Sequence, residues 1–197
     1  MATTAGYCYT IEMVDERSLD FIFDEKKATQ VAARIIAKND NRFDFLALVK
    51  LLYLVDREAI KSWARAIVGG PYFSLPHGPV NSPILKLVNE KPASDYWAHC
   101  IERKGNELIL NHDPGDDELS EAEKDLIDFV FDEHGHKSAS ALRHLTHQLP
   151  EWQDPAGSSL PISGETLLRV AGRSSEEIAE LSSELADKNR VRRLLSR

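Results

Sequence analysis

The sequence is poor in cysteine and contains no long apolar run. Two cysteines, Cys8 and Cys100, in 197 residues do not make a disulfide framework, so we expect a reducing compartment. No run approaches the ~18 apolar residues that a membrane-spanning helix needs. Residues 1–6 have neither a basic nor an apolar stretch, so no signal peptide is expected. Disulfide-stapled, collagen-like and membrane-spanning proteins are therefore excluded.

The amino-acid composition is that of a folded domain, with 42% hydrophobic and 28% charged residues. The formal net charge is −8. An acidic body is unfavourable for binding nucleic acid, because phosphate contacts need clustered lysine and arginine. Such a body would attract a basic partner, or it would simply keep the chain soluble. The exception is the C-terminal segment, whose basic residues are Lys188, Arg190, Arg192, Arg193 and Arg197.

Helical periodicity dominates the first part of the chain. Asp24 is a suitable N-cap for an amphipathic helix that begins near Glu25. Residues 45–55 are apolar at nearly every position, and the pattern continues through Ala59, Ile60, Trp63 and Ile67, which predicts a buried central helix that ends at Gly69-Gly70. Lys50 interrupts this apolar surface, and we expect its ammonium group to reach water.

Proline and glycine mark out the middle of the chain. Residues 69–83 contain four prolines, so we predict a stiff and extended segment. A short helix over 82–89 follows. Two strands, 97–102 and 107–110, joined by a glycine-containing turn at 104–106, predict a small hairpin.

Two capping boxes mark helices in the last third of the chain. Ser120 with Glu123, and Ser174 with Glu177, each place a hydroxyl and a carboxylate where they can cap a helix start. Residues 154–161 between these helices have the composition of a linker. The apolar stripe that we predict for the first of these helices is Ala122, Leu126, Phe129 and Val130.

These patterns predict a mainly α fold of the α+β class. We expect a compact helical domain around a buried central helix, with one small β-hairpin and a C-terminal helical extension. The predicted organisation is an N-terminal arm of residues 1–23, a domain of residues 24–155 and the extension of residues 156–197.

The sequence carries none of the common catalytic or cofactor-binding motifs. The GxxxxGK[ST], GxGxxG, CxxC, HExxH and GxSxG patterns are all absent. The close histidine pairs are His134 with His136 and His144 with His147, and neither pair alone makes a zinc site. Cys100 is expected to pack as a small hydrophobic side chain. We therefore predict no catalytic residue, cofactor or metal, with a metal-dependent hydrolase as an alternative.

Four segments form a recognisable pattern when they are taken together. They are residues 45–56 (FLALVKLLYLVD), 70–80 (GPYFSLPHGPV), 119–124 (LSEAEK), and Leu145-Thr146-His147 with Trp152 close behind. In this order and at this spacing they resemble the Panacea domain of the SocA-like antitoxin family. The resemblance covers about residues 24–155.

The resemblance implies a non-enzymatic antitoxin of a bacterial or phage toxin–antitoxin system, acting in the cytoplasm. It implies a cognate toxin protein that is neutralised by direct binding. The alternative is a proteolytic adaptor that delivers the toxin to an ATP-dependent protease. No membrane partner is implied and nucleic acid is not expected, although the basic C-terminal segment keeps a transcription regulator as a further alternative. The oligomeric state is left open.

Candidate partner-binding residues come from the proline-rich segment, the closing motif and the C-terminal segment. A stiff segment loses little entropy on binding, and aromatic side chains are common anchors at interfaces. The alternative is that the aromatic residues pack against the central helix. The candidates are Tyr72, Phe73, His77, Trp152, Arg190 and Arg193.

Overall fold

A computed structural model of the chain describes Leu19, residues 21–89 and residues 95–195, with side chains in the last helix described up to residue 185. The helices are α1 (Glu25–Ala37), α2 (Phe45–Trp63), α3 (Ser82–Asn89), α4 (Asp95–Cys100), α5 (Glu121–His134), α6 (Ala139–His147), α7 (Gly164–Val170) and α8 (Ser175–Leu195). The strands are β1 (Arg42–Asp44), β2 (Tyr72–Leu75), β3 (Gly78–Asn81), β4 (Ile101–Lys104), β5 (Glu107–Leu110) and β6 (Leu160–Ile162). Helices combined with short antiparallel strands make this an α+β fold, the class that the sequence predicts.

Helix α2 forms the centre of the fold. Its N-cap, Asp44, accepts a hydrogen bond from the backbone amide of Ala47 at 2.9 Å. Helices α1, α5, α6 and α7 and strand β3 all contact it, which explains why residues 47–56 are all buried. The helix ends at Trp63, because Ala64 adopts a left-handed backbone conformation with φ of 55°. The predicted end at Gly69-Gly70 is therefore wrong.

Lys50 of α2 does not reach water, so this prediction is also wrong. The side chain is buried under β3 and α6, and the residue is only 4% exposed. Its Nζ donates a hydrogen bond to the backbone oxygen of Pro79 at 2.8 Å. The sequence shows that the lysine lies in an apolar helix but not which elements cover it.

Six short strands form two antiparallel sheets within the described residues, where the sequence predicted one hairpin. The orders are β1-β5-β4 and β3-β2-β6. The predicted turn at 104–106 is confirmed, and Gly105 adopts φ of 64° there. The predicted strand over 97–102 is wrong, because α4 continues to Cys100 and β4 begins only at Ile101.

The proline-rich segment forms the hairpin β2–β3. Tyr72 pairs with Asn81 at the open end of the hairpin, and residues 76–77 make the turn. The sheet tolerates Pro79 and Pro161 because both lie in edge strands, β3 and β6, whereas the middle strand β2 contains no proline. The segment is extended as predicted, but it belongs to a sheet.

Helix α5 packs along α1 and α2. The predicted capping box is confirmed, since Ser120 accepts from the amide of Glu123 and the Glu123 carboxylate accepts from the amide of Ser120. Phe129 is 55% exposed, so its assignment to the apolar stripe is wrong. The helix buries a face that passes through Leu126 and Val130, and Phe129 lies about 100° around the helix from Val130.

Segments at both ends of the chain also contact the core. Strand β6 pairs with β2, and α7 packs against α2. Leu19 and Phe21 are buried, whereas residues 1–18 of the predicted arm lie outside the described residues. The division at residues 23 and 155 stays a prediction.

Candidate functional site

A buried carboxylate fixes the base of the β2–β3 hairpin. Asp56 of α2 is fully buried and accepts hydrogen bonds from the amides of residues 67–69 at 2.8–3.1 Å. It also accepts from the Tyr72 hydroxyl at 2.8 Å and from the Asn81 side chain at 3.4 Å. Tyr72 and Asn81 pair across the hairpin, so one side chain holds the first residue of β2 and the last residue of β3.

The surroundings of Asp56 are those of a carboxylate that stabilises the fold. Burial raises the pKa of Asp56 above its ordinary value, and the hydrogen bonds from Val68, Tyr72 and its other donors oppose that rise. Each of these donors is fixed in the fold, so both oxygens of the Asp56 carboxylate are occupied by groups of the protein itself. Sequence reasoning did not identify this residue. The available signal was an acid directly after an apolar run, 13 positions before a Gly-Gly pair.

A second buried carboxylate joins α2 to the segment after α6. One oxygen of Glu151 accepts from the Tyr53 hydroxyl at 3.0 Å and from Arg57 at 2.6 Å. The ring of Tyr53 meets the ring of Tyr72 edge-on, with 5.9 Å between the centroids. The chain that carries Trp152 is thus held against the same helix that holds the hairpin.

The turn of the hairpin lies against Lys50 and the end of α6. Gly78 has φ of 96°, and a Cβ atom at this position would lie 3.0 Å from Lys50 Nζ, 2.8 Å from Thr146 Oγ1 and 3.1 Å from His147 Cδ2. Three side chains therefore converge on a glycine that has no room for a side chain. The short loop and the backbone conformation both require glycine here.

Trp152 packs against His147 and is the last member of this group of side chains. Its ring stacks on the ring of His147, with centroids 4.1 Å apart and an angle of 8° between the planes. Its indole nitrogen donates to the backbone oxygen of Leu75 at 3.2 Å, and the next amide, of Gln153, donates to Ser74 Oγ at 3.2 Å. The segment after α6 is therefore attached to the end of β2.

Several basic side chains lie near the turn of the hairpin, and none of them forms an ion pair with a described carboxylate. Arg143 of α6 donates to the backbone oxygen of Pro76 at 3.3 Å. Burial and then the charge of Arg143 lower the pKa of Lys50 to about 7. Burial, followed by Arg143, Lys50 and His77, lowers the pKa of His147. We call Lys50, His77, Gly78, Arg143, His147 and Trp152 together the hairpin site.

The structure places two of the six predicted partner-binding residues, His77 and Trp152, beside His147 at the turn of the hairpin. Phe73 is half-buried on the face of β2 opposite Tyr72, His77 is exposed in the turn, and Trp152 is half-buried beside it. Tyr72 lies in the interior, where it binds Asp56. Arg190 and Arg193 belong to α8, at positions whose side chains lie outside the described residues. Sequence reasoning missed Lys50, Arg143 and His147 as members of the group.

Among the described residues, the other candidate histidines make local contacts and Cys100 is buried. Within the described residues no three His, Cys, Asp or Glu side chains are placed to hold a metal ion. His134 contacts Lys137, and His144 contacts Gln148, so each pairs locally. Cys100 is buried as expected, and burial raises the pKa of its thiol, which disfavours the reactive thiolate.

A groove of about 650 Å³ runs beside α1 and is lined in part by Arg34, Lys38 and Asp116. Both basic side chains in its wall already form ion pairs with Asp128, at 2.6 and 3.2 Å. It therefore presents no unpaired charge comparable to that of the hairpin site.

Comparison with known proteins identifies one family. The family model described as antitoxin SocA-like, Panacea domain, matches residues 48–153, over half of the chain. The matched range starts within α2, ends just after Trp152 and contains every residue of the hairpin site. Comparisons with curated proteins and with solved structures gave no match. No helix in the described part of the chain is long and apolar enough to cross a membrane.

Proposed function

Because the chain belongs to the family of SocA-like antitoxins with a Panacea domain, we propose that it neutralises a cognate protein toxin in the cytoplasm by direct binding. The observation that carries the proposal is the hairpin site. It gathers basic and aromatic side chains at one edge of the family domain, and none of them belongs to a reactive constellation. Such a group is suited to contact with another macromolecule.

The contact surface that we propose centres on Phe73, His77 and Trp152. The hairpin is held at its base by Asp56 and at its turn by Lys50, so its exposed side chains are ordered before a partner binds. Binding to an ordered surface loses less conformational entropy. Aromatic side chains on such a surface are typical anchors. Tyr72 is left out of this surface because its hydroxyl is occupied by Asp56.

The test is co-expression with the product of the neighbouring reading frame. If that product stops growth, this chain is expected to restore growth and to copurify with it. Phe73→Ala is expected to weaken binding by about 2 kcal/mol, roughly 30-fold in Kd, which is the loss typical of an aromatic anchor. Phe129→Ala is the matched control, because Phe129 is exposed on α5 away from the hairpin sheet. Equal binding by the two variants would exclude Phe73 from the interface.

The same cells separate direct binding from proteolytic delivery. Under direct binding, the half-life of the toxin stays unchanged or lengthens when this chain is present. Under the adaptor alternative, the half-life shortens, and it shortens only in cells that contain the ATP-dependent protease. Measuring toxin decay after translation is stopped, with and without the protease, decides between them.

We also propose that the basic C-terminal segment contributes to the choice of toxin, through Arg190 and Arg193. Strand β6 and α7 belong to the core, so a useful deletion removes only residues 186–197. Loss of toxin binding by this shortened chain, with an unchanged unfolding midpoint, is the expected result. Full binding would restrict the interface to the family domain.

A further inference from the structure

We propose that the hairpin site binds a carboxylate group presented by the toxin, with Arg143 and His77 at its rim and Lys50 and His147 beneath. This inference rests on the proposed function, because it names the chemistry of the partner at that site. It is carried by the arrangement of the four basic side chains and by the hydrogen-bonding groups that they leave unused.

The four basic groups lack a counter-ion in the structure. None of them forms an ion pair with any described carboxylate. Asp154 is near enough to raise the pKa of His147, but it makes no ion pair with the ring. A carboxylate from a binding partner would supply the negative charge that these four groups lack within the fold.

Hydrogen-bonding capacity at the site is also unused. Lys50 is 4% exposed, and Pro79 is the one acceptor recorded for its three N–H groups. His147 Nε2 is buried and has no hydrogen-bond partner among the described residues. The neighbouring atom of that ring, Cδ2, lies 3.1 Å from the position that a Cβ atom on Gly78 would take, so the ring packs against the turn. Buried polar atoms are normally satisfied, and an unsatisfied one calls for an explanation.

A ligand oxygen explains both observations at once. Burying a positive charge without a partner is costly, and this cost lowers the pKa values of Lys50 and His147. A carboxylate bound by the exposed Arg143 and His77 would favour the charged forms of Lys50 and His147 beneath it through its negative charge. Binding is then accompanied by proton uptake at neutral pH, since Lys50 is only partly protonated there.

The surroundings favour a carboxylate over a phosphate. No helix begins at this turn in the described structure, whereas proteins often bind phosphate at the N-terminus of a helix. Aromatic and proline side chains, Trp152 and Pro76, flank the basic groups. A peptide carboxylate, from an acidic side chain or a chain end, fits this mixture of charge and apolar surface.

The first test uses acetate and does not require the toxin. Acetate is added to the full chain up to about 100 mM, a range suited to a ligand of so few atoms, against chloride at equal ionic strength. The ring signals of His147 and His77 are followed by NMR, with His112, which stacks on His99, as the internal control. We expect a saturable shift at His147 and a rise in its titration midpoint.

Substitutions test whether the shift of the His147 signals arises from acetate bound at the hairpin site. Arg143→Gln and Lys50→Met are each expected to weaken acetate binding at least five-fold. Lys61→Met is the matched control, because Lys61 lies on the same helix but is exposed and paired with Glu58. Arg143 is exposed, so its variant keeps the test valid even if the Lys50 variant folds poorly. Absence of a saturable His147 shift, or equal shifts in all variants, overturns the proposal. Tighter binding of inorganic phosphate than of acetate overturns it as well.

The second test asks whether the toxin supplies the carboxylate. Arg143→Gln is expected to weaken toxin binding about ten-fold and to reduce the proton uptake measured by calorimetry in two buffers, whereas Lys61→Met changes neither. N-acetylglycine and N-acetylaspartic α-amide then distinguish a chain end from an acidic side chain by their relative affinity. Acetate binding with unchanged toxin affinity in the variants would overturn the assignment to the toxin. If no toxin is neutralised, the proposed function fails, while the acetate result still decides whether the site binds carboxylates.

Discussion

At the junction of α1 and α5 every basic side chain lies beside a carboxylate, whereas at the β2–β3 turn none does. Lys27 and Arg65 contact Glu123 at 2.7 and 3.0 Å, and Arg34 and Lys38 contact Asp128 at 2.6 and 3.2 Å. The bonds from Lys27 and Ser120 overcome the effect of burial and lower the pKa of Glu123 to about 2. In the hairpin site, burial and mutual repulsion instead lower the pKa values of Lys50 and His147.

In the α1–α5 junction the charged groups pair with one another, whereas in the hairpin site the basic groups have no described ion-pair partner. Ion pairs at the α1–α5 junction are internal to the fold, so they contribute to its stability. Lys50 in the hairpin site reduces stability, because no described counter-ion compensates the burial of its ammonium group. Variants in the two regions should therefore have opposite effects on stability.

The largest effect is expected from Glu123→Gln. The change leaves Lys27 and Arg65 without their shared partner and weakens the cap of α5, so we expect unfolding to become easier by about 3 kcal/mol at pH 7. Urea unfolding measures this, with Glu121→Gln as a control because the Glu121 side chain is 86% exposed. A loss no larger than that of the control would contradict a stabilising role for the junction.

The same carboxylate predicts a dependence on acid. Its pKa is about 2 in the folded protein and near 4.5 when unperturbed, so its stabilisation is complete above pH 4.5 and is lost as the pH falls towards 2. Glu123→Gln should show a smaller loss of stability across this range than the unchanged protein does. An identical slope in both proteins would show that other groups dominate acid unfolding.

Lys50→Met should have a smaller effect of opposite sign. The folded pKa of about 7 lies below the unperturbed value of 10.5, so the unfolded chain binds the extra proton and the lysine destabilises the fold most below pH 7. We expect the variant to be more stable by about 2 kcal/mol at pH 6. The gain should shrink as the pH rises from 7 to 10.5, which thermal unfolding across this range measures. A constant gain would point to packing rather than charge.

The smallest expected effect is the difference in stability between two arginine variants, one at Arg34 and one at Arg143. Arg34 makes two parallel hydrogen bonds to Asp128, and Arg143 contacts only a backbone oxygen. Arg34→Gln is expected to cost about 1 kcal/mol, and Arg143→Gln to change stability by less than about 0.5 kcal/mol. Unfolding in urea compares them directly. An equal loss in both would remove the distinction between the two regions.

Local features were predictable because neighbouring residues decide them. The Asp24 cap, the helix over 82–89 and both capping boxes involve groups at most four residues apart, and the structure contains each of them. The predictions that are wrong concern residues whose structure depends on contacts with segments far away in the sequence. Residues 97–100 were assigned to a strand, but they continue a helix, α4, that packs against α1.

The candidate site was predictable only in part. The motif that contains Phe73 and His77, and the one that contains Trp152, are visible in the sequence, and the fold brings them together. Lys50 and Arg143 carry no local signal of their role. They become a site because α2 and α6 meet at the turn of a hairpin, and β3 covers the lysine.

The sequence by itself determined the helical character of the chain, its caps, its acidic balance and the family to which it belongs. These depend on composition and on spacings within a few turns of helix, where covalent geometry keeps the interacting groups close. The tertiary structure alone decided that Asp56 anchors the hairpin, that Phe129 faces solvent and that Lys50 is buried without a counter-ion. Burial and charge pairing depend on which segments pack together, and a linear pattern does not contain that information.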